Sequence, residues 1–180
     1  EFIALLDSDD IWKPWKTELQ IKALQGRPEV GMVWTDMEAI DADGTLIASR
    51  YLRRMYGAYG MFPTNDSLFP SCQVLPSGIH GFSDELSNVT IYYGDIFLAM
   101  MMGSLVHTST VLLRRERLVC VEKFREDLRF AGEDYDFHLR TCKEGPVGLL
   151  DIPSIQYRVD APDQLTRPCY NAYMALNFHK

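Results

Sequence analysis

Three carboxylates follow directly on a short apolar run at the start of this chain, and few folds accommodate that arrangement. The apolar run spans residues 2–6, and the acidic residues are Asp7, Asp9 and Asp10. An apolar run of this length that stops at turn residues is typical of a buried parallel strand. Such a strand places the acidic residues at the carboxyl edge of a sheet, where ligands bind in open α/β sheets. The sequence therefore predicts a ligand site immediately after the first strand.

Two of the carboxylates, Asp7 and Asp9, form an Asp-x-Asp pattern on what we expect to be a tight loop. Close carboxylates repel each other unless a cation or a hydrogen-bond network holds them. Mg²⁺ and Mn²⁺ bind through oxygen ligands, commonly one or two carboxylates together with phosphate oxygens. We therefore interpret Asp7 and Asp9 as a site for a divalent cation and a diphosphate. The alternative is an acidic turn whose last residue caps the next helix, and we favour that alternative for Asp10.

Composition and charge narrow the classes of function. The chain has 180 residues, enough for one domain with a core, and its formal net charge of −7 argues against binding nucleic acid through bulk charge. The negative charge does not argue against a nucleotide bound through a metal ion. The four cysteines are scattered without a Cys-x-x-Cys pair, so neither a zinc cluster nor a disulfide framework is predicted. No apolar run reaches transmembrane length, and we expect a cytoplasmic protein, or one bound peripherally at the inner face of a membrane.

Hydrophobic periodicity and turn residues predict an α/β order of elements. The predicted helices cover residues 15–25, 95–102, 133–144 and 163–178. The predicted strands cover residues 2–6, 30–39, 45–49, 108–113, 147–152 and 155–159, with a hairpin turn at Asp43-Gly44. Residues 50–104, rich in aromatic side chains, are interpreted as a lid or insert. This order predicts one α/β sandwich with a mixed sheet.

Four segments of the chain, in this order, resemble family 2 glycosyltransferases, which have the glycosyltransferase-A fold. Residues 5–14 resemble the family's Asp-x-Asp region, 108–115 its mid-domain strand, 130–140 its Glu-Asp helix and 157–160 its terminal Tyr-Arg-Val-His. The resemblance extends from residue 1 to about residue 167. It implies a partial glycosyltransferase-A domain over residues 1–180, a Rossmann-like α/β/α sandwich of the nucleotide-diphospho-sugar transferase class.

Two departures from the family pattern change these expectations. The family normally begins with a strand-rich half that holds the nucleotide base, and its Pro-x-Tyr-Asn strand end and Asp-Asp-x-Ser turn are not found in this sequence. We therefore expect an N-terminally truncated domain that has little activity alone and self-associates through the strand at residues 2–6. Asp160 stands where the family commonly has a His, so the metal or phosphate role of that position is not carried over.

The resemblance also implies a reaction and a set of roles. A sugar would pass, with inversion, from a nucleotide diphosphate sugar to a hydroxyl of a glycan or lipid-linked acceptor. Asp9 would hold Mn²⁺ or Mg²⁺, and Asp7 would contact the ribose or assist the metal. Asp134 would accept the proton of the acceptor hydroxyl, and Glu133 would orient the acceptor. Arg158 would contact phosphate, or else form a structural salt bridge.

Two other interpretations stay open. In haloacid-dehalogenase phosphatases an apolar strand also ends on Asp-x-Asp, which would make Asp7 a phosphorylated nucleophile and Asp9 an acid or base. The second alternative is a fragment that folds and self-associates without catalysis. We interpret His107 and His138 as structural histidines and Trp34 as a core residue, because those roles are the more common ones for such residues.

Overall fold

The structure is a computed structural model that describes residues 1–75, 86, 88–128 and 131–159. The described strands are β1 (Phe2–Ala4), β2 (Ile11–Trp12), β3 (Met32–Ile40), β4 (Leu46–Ala48), β5 (Ser71–Val74), β6 (Thr90–Gly94), β7 (Leu112–Arg114) and β8 (Val147–Arg158). The described α-helices are α1 (Lys16–Gln25), α2 (Leu52–Met55), α3 (Asn65–Leu68), α4 (Phe97–Met100), α5 (Arg115–Val121) and α6 (Glu133–Lys143). The helix predicted at 163–178 and the residue Asp160 lie outside the described residues.

The eight strands form one mixed sheet in which most neighbours are antiparallel. Its main path has the order β1-β7-β3-β8-β6-β5, while β2 pairs with β8 and β4 pairs with β3. Among the described strand pairs, β3 and β8 alone run parallel. The prediction of an α/β protein with a mixed sheet is confirmed at this level.

Helices cover both faces of the sheet because its central strands alternate between two apolar layers. Met32 and Trp34 on β3 belong to the layer that contains Phe137 of α6, whereas Val33 belongs to the layer that contains Leu24 of α1. All five side chains are fully buried. Successive side chains of a strand point to opposite faces, so a strand covered on both sides has a continuous apolar sequence. The prediction that Trp34 is a core residue is confirmed.

The first strand differs from its prediction. Residues 2–6 were predicted to form a buried parallel strand, but β1 ends at Ala4, is half-buried and runs antiparallel to β7 at one end of the sheet. Leu6 has left the sheet and is 51% exposed. An apolar run does not specify the direction of its partner, and here the chain returns through β7 in the opposite direction. Leu5 and Leu6 therefore separate the end of β1 from Asp7, the first of the acidic residues.

Residues 108–113 were predicted to form one strand, and the first part of that prediction is wrong. Thr108–Thr110 form a 3₁₀ turn, and β7 begins at Leu112. The backbone N–H and the hydroxyl of Thr110 both donate to the carbonyl of His107, at 3.0 and 2.6 Å. Such local bonds from Thr side chains compete with strand pairing. The turn presents His107 and Ser109 to the acidic loop.

The strands predicted at 147–152 and 155–159 are a single strand, β8. Its pairing with β3 shifts register where Asp36 lies opposite Pro153. Proline has no N–H to donate, so the ladder is interrupted there without ending. Residues within 50–104 contribute β5 and β6 to this same sheet, together with α2, α3 and α4.

The helices with strong local signals agree with their predictions. α1 ends at Gln25 before Gly26, and α6 begins after Gly132, whose φ of 94° is left-handed. The hairpin turn is present too, and Gly44 has a φ of 84°. None of the described helices is both long and apolar enough to cross a membrane.

Candidate functional site

The acidic loop is a β-turn that brings its two end residues together. The backbone N–H of Asp10 donates to the carbonyl of Asp7 at 3.3 Å, which is the bond that closes a four-residue turn. Asp7, Ser8 and Asp9 are exposed, whereas Asp10 is buried. The turn therefore brings Asp7 next to Asp10 and places Asp9 of the Asp-x-Asp pattern at its tip.

Ser109 fixes the turn to the segment before β7. Its hydroxyl accepts a hydrogen bond from the backbone N–H of Asp7 at 2.9 Å. Its carbonyl accepts one from the indole Nε1 of Trp12, also at 2.9 Å. Because these contacts hold the chain on both sides of the turn, the positions of its carboxylates are set by the sheet rather than by the loop alone.

Asp10 pairs with a histidine instead of capping α1. Its Oδ2 lies 3.1 Å from His107 Nε2, and the side chain of Asp10 is only 1% exposed. The other ring nitrogen of His107, Nδ1, lies 3.3 Å from the hydroxyl of Tyr56, and the edge of the ring packs against Tyr157. The N-cap of α1 is Trp15, so the prediction that Asp10 caps this helix is wrong.

The turn and the histidine form a compact group of possible metal ligands. One ligand atom each of Asp7, Asp10 and His107 lies within 4.8 Å of the other two. The second oxygen of Asp10, Oδ1, is buried without a hydrogen-bond partner. Partial burial raises the pKa of Asp7, an effect that His107 opposes and the charges of Asp10 and Asp9 increase. A set of two carboxylates and one imidazole is chemically suited to a divalent cation.

The N-terminus of α6 brings two more carboxylates to the same place. Glu133 Oε2 is buried without a hydrogen-bond partner, and burial raises the pKa of Glu133 with further contributions from Asp134 and Asp7. Asp134 is half-buried, and its Oδ1 accepts from the backbone N–H of Tyr135 at 2.7 Å. Burial and then the charge of Asp134 raise the pKa of Tyr56, to which Asp7 also contributes. The turn and the helix start therefore share one electrostatic environment.

Four carboxylates act on one another at this site, and one of them, Asp10, lies against His107. Within the described residues, no Lys or Arg forms an ion pair with Asp7, Asp10, Glu133 or Asp134. Carboxylates gathered without a partner are costly to bury, and a bound cation removes that cost. The arrangement can hold a cation, and it can present a carboxylate to a hydroxyl group nearby.

The remaining predicted residues lie in different settings. Asp9 is exposed at the tip of the turn. Arg158 donates from Nη1 to the carbonyls of Asp41 and Ala42, at 3.0 and 2.9 Å. His138 is fully buried, with Nε2 3.4 Å from the hydroxyl of Thr108, and burial lowers its pKa to about 3. The structural interpretation of His138 therefore agrees with its surroundings.

Sequence reasoning missed three residues of the site, namely Asp10, His107 and Tyr56. A signal for Asp10 was present, because Asp and Ser favour the first position of a β-turn and such a turn brings its first and fourth residues together. No local signal marks His107 or Tyr56, which reach the turn from distant parts of the chain.

A scan against models of known protein families finds no match for this chain. A search of curated proteins likewise finds none that is similar to it.

Proposed function

We propose that this chain is a glycosyltransferase domain that transfers a sugar from a nucleotide diphosphate sugar to an acceptor hydroxyl, with inversion. We assign it to the glycosyltransferase-A class of α/β/α folds. The observation that carries the proposal is that one turn contacts both the acidic turn and α6, through His107 Nε2 at 3.1 Å from Asp10 Oδ2 and the Thr108 hydroxyl at 3.4 Å from His138 Nε2. The four sequence segments that resemble family 2 glycosyltransferases include both of these elements.

The reaction makes two demands that the site can meet. The departing nucleotide diphosphate carries negative charge, and a divalent cation at the acidic turn supplies charge neutralisation as a Lewis acid when bound. The acceptor hydroxyl needs a base. Asp134 has Oδ1 engaged with the N–H of Tyr135, which leaves Oδ2 to accept the hydroxyl proton. Glu133, next to it, orients the acceptor.

The cation and phosphate assignments rest on the chemistry of the residues present. The unpartnered oxygen of Asp10, together with Asp7, fits Mn²⁺ or Mg²⁺. Arg158 is bonded to the carbonyls of the β3–β4 turn, so we assign it a structural role rather than a phosphate contact.

Donor hydrolysis tests the proposal without knowledge of the acceptor. The chain, supplied with Mn²⁺ and a panel of nucleotide diphosphate sugars, is expected to release nucleoside diphosphate slowly, because we expect little activity from these residues alone, and chromatography detects the product. Asp134→Asn is expected to lower this rate by about 100-fold or more, because the base is lost. Asp127→Asn serves as the control, since Asp127 is exposed and forms an ion pair with Arg125. An unchanged rate in Asp134→Asn contradicts the assignment of the base.

A phosphatase assay separates the main alternative. Hydrolysis of para-nitrophenyl phosphate that disappears in Asp7→Asn, without release of nucleoside diphosphate from any donor, supports the phosphatase interpretation instead. The non-catalytic interpretation predicts neither activity, together with self-association of the chain.

A further inference from the structure

We propose that a divalent transition-metal ion binds between Asp7, Asp10 and His107, and that Asp9, the second carboxylate of the Asp-x-Asp pattern, is not a ligand. The ion's part in catalysis rests on the proposed function, whereas its binding does not depend on that function. The proposal replaces the sequence-based ligand pair, Asp7 and Asp9, with a set that contains a nitrogen donor.

The geometry of the turn selects Asp10 over Asp9. The hydrogen bond from Asp10 N–H to the carbonyl of Asp7 joins the first and fourth residues of the turn. Their side chains start from neighbouring positions, and one ligand atom of each lies within 4.8 Å of the other. Asp9, which is exposed at the tip as Asp7 is beside it, does not belong to this group of three.

His107 meets Asp10 at a distance that suits a shared ion. Its Nε2 lies 3.1 Å from Asp10 Oδ2. Metal–ligand bonds of about 2.1 Å at right angles place neighbouring donor atoms about 3 Å apart, so both atoms can bind one ion without a large movement.

Tyr56 orients the imidazole for metal binding. A metal-bound histidine normally donates its other ring N–H to a fixed acceptor, which sets the tautomer. The hydroxyl of Tyr56 lies 3.3 Å from His107 Nδ1 and can accept that N–H, which leaves the Nε2 lone pair facing Asp10. Tyr157 packs against the ring edge with centroids 5.0 Å apart and restricts its rotation. Tyr56 is therefore a positioning residue.

A second and independent observation points to a ligand at this place. Asp10 Oδ1 and Glu133 Oε2 are both buried without a hydrogen-bond partner. Buried polar atoms without partners are rare in folded proteins, and each one calls for an explanation such as an ion or water. A cation beside Asp7 and Asp10 supplies a partner where the described residues supply none.

The nitrogen donor of His107 affects which metal ion the site prefers. Imidazole favours transition metals, whereas Mg²⁺ and Ca²⁺ prefer sites made of oxygen ligands alone. We therefore expect Mn²⁺ to bind at least about 10-fold more tightly than Mg²⁺ at this site.

Electron paramagnetic resonance of Mn²⁺ added to the 180-residue chain, with no nucleotide present, tests the proposal. Loss of the free-ion signal measures affinity, and pulsed spectra report ¹⁴N coupling from a coordinated imidazole. Asp10→Asn and His107→Gln are expected to weaken binding about 10- to 100-fold, with the ¹⁴N coupling lost in His107→Gln. Tyr56→Phe is expected to weaken binding by about 10-fold while the coupling persists. Asp9→Asn, the matched control on the same turn, is expected to bind as the parent does.

Three results would overturn the proposal. They are absence of Mn²⁺ binding, absence of ¹⁴N coupling in the parent chain, and loss of binding in Asp9→Asn with retention in Asp10→Asn. If circular dichroism shows that a buried-site variant is unfolded, the parent spectrum and Asp9→Asn still decide the question. Mn²⁺ bound as expected, without turnover of any nucleotide diphosphate sugar, leaves this ion site standing and counts against the proposed transferase.

Discussion

Lys16 is a buried cation that connects the site to α1. Its side chain is fully buried, and its ammonium donates to Gln20 Oε1 at 2.8 Å and lies 4.3 Å from the centre of the Trp12 ring. Gln20 in turn donates to the carbonyl of Thr110 at 2.7 Å. Trp12 follows the acidic turn and Thr110 precedes β7, so this row of contacts ties both segments of the site to the helix. Burial lowers the pKa of Lys16 to about 7.

The lowered pKa of Lys16 predicts that the protein becomes more stable as the pH rises above neutrality. Between the folded pKa of about 7 and the ordinary value of 10.5, the unfolded chain binds more protons than the folded one. The free energy of unfolding contributed by this group therefore increases over that interval and is constant below it. Lys16→Met is expected to remove the increase and to raise stability at pH 7, as measured by urea unfolding at several pH values.

Lys22→Met is the control for this prediction, because Lys22 lies on the same helix with its side chain 41% exposed. It is expected to keep the pH dependence of the parent chain. A Lys16→Met variant with the same slope against pH as the parent would show that Lys16 is not the group responsible.

At the scale of the element, α6 is held at both ends. It begins after Gly132, with φ at 94°, and its first residues supply Glu133 and Asp134 to the site. Its C-terminal end is bound by Arg117, whose Nη1 donates to the carbonyls of Thr141 and Gly145 at 2.7 and 3.1 Å. Acidic residues at a helix N-terminus and a cation at its C-terminus are both favoured by the helix dipole. The helix thereby holds its carboxylates in a fixed position.

Replacing Gly132 by alanine is expected to destabilise the protein through the backbone alone. A Cβ at Gly132 would have nothing within 4 Å, so no clash is involved. A left-handed conformation costs an L-residue about 1–2 kcal/mol, which urea unfolding can measure. Gly57→Ala is the matched control, because its Cβ also meets nothing and its φ is not left-handed. Equal stability of the two variants would contradict the assigned role of the φ angle.

A changed backbone at the start of α6 would also move Asp134, so donor hydrolysis is expected to fall in Gly132→Ala.

Local sequence signals predicted helices and turns, but contacts between residues far apart in the sequence could not be predicted from them. α6 and the turn at Asp43-Gly44 are marked by glycines and charges within or beside them, and both are present. The pairing of Asp10 with His107 joins residues 97 positions apart, and no periodicity encodes it. The same holds for β1, because its place at the end of the sheet depends on β7, which comes more than a hundred residues later. The sequence therefore indicated the acidic turn, while the side chains that surround it in the structure were only partly identified.

At the scale of the whole molecule, β1 is an edge strand of the sheet and leads into the site. Its outer side has no strand partner within the described residues. The backbone N–H of Arg115 donates to the carbonyl of Glu1, so Glu1 and Arg115 form a hydrogen-bonded pair. Hydrogen-bonded and non-hydrogen-bonded pairs alternate along an antiparallel ladder. Phe2 and Ala4 therefore belong to non-hydrogen-bonded pairs, and their N–H groups point away from β7. A groove beside them is lined by Ile21 and Leu112 among other residues. Unpaired edges next to apolar surface invite pairing with another chain.

We therefore expect the chain to self-associate through this edge, with the β1 strands of two copies pairing. Ala4→Pro removes an N–H that points away from β7, so the hydrogen bonds between β1 and β7 stay intact. Proline is tolerated on edge strands for this reason. Light scattering coupled to size exclusion is expected to show an associated parent chain and a monomeric Ala4→Pro variant. Ile47→Lys on β4 is the control, since it removes a 49% exposed apolar side chain elsewhere and is expected to leave association unchanged. A monomeric parent chain, or an Ala4→Pro variant that associates as the parent does, would show that the β1 edge is not an interface.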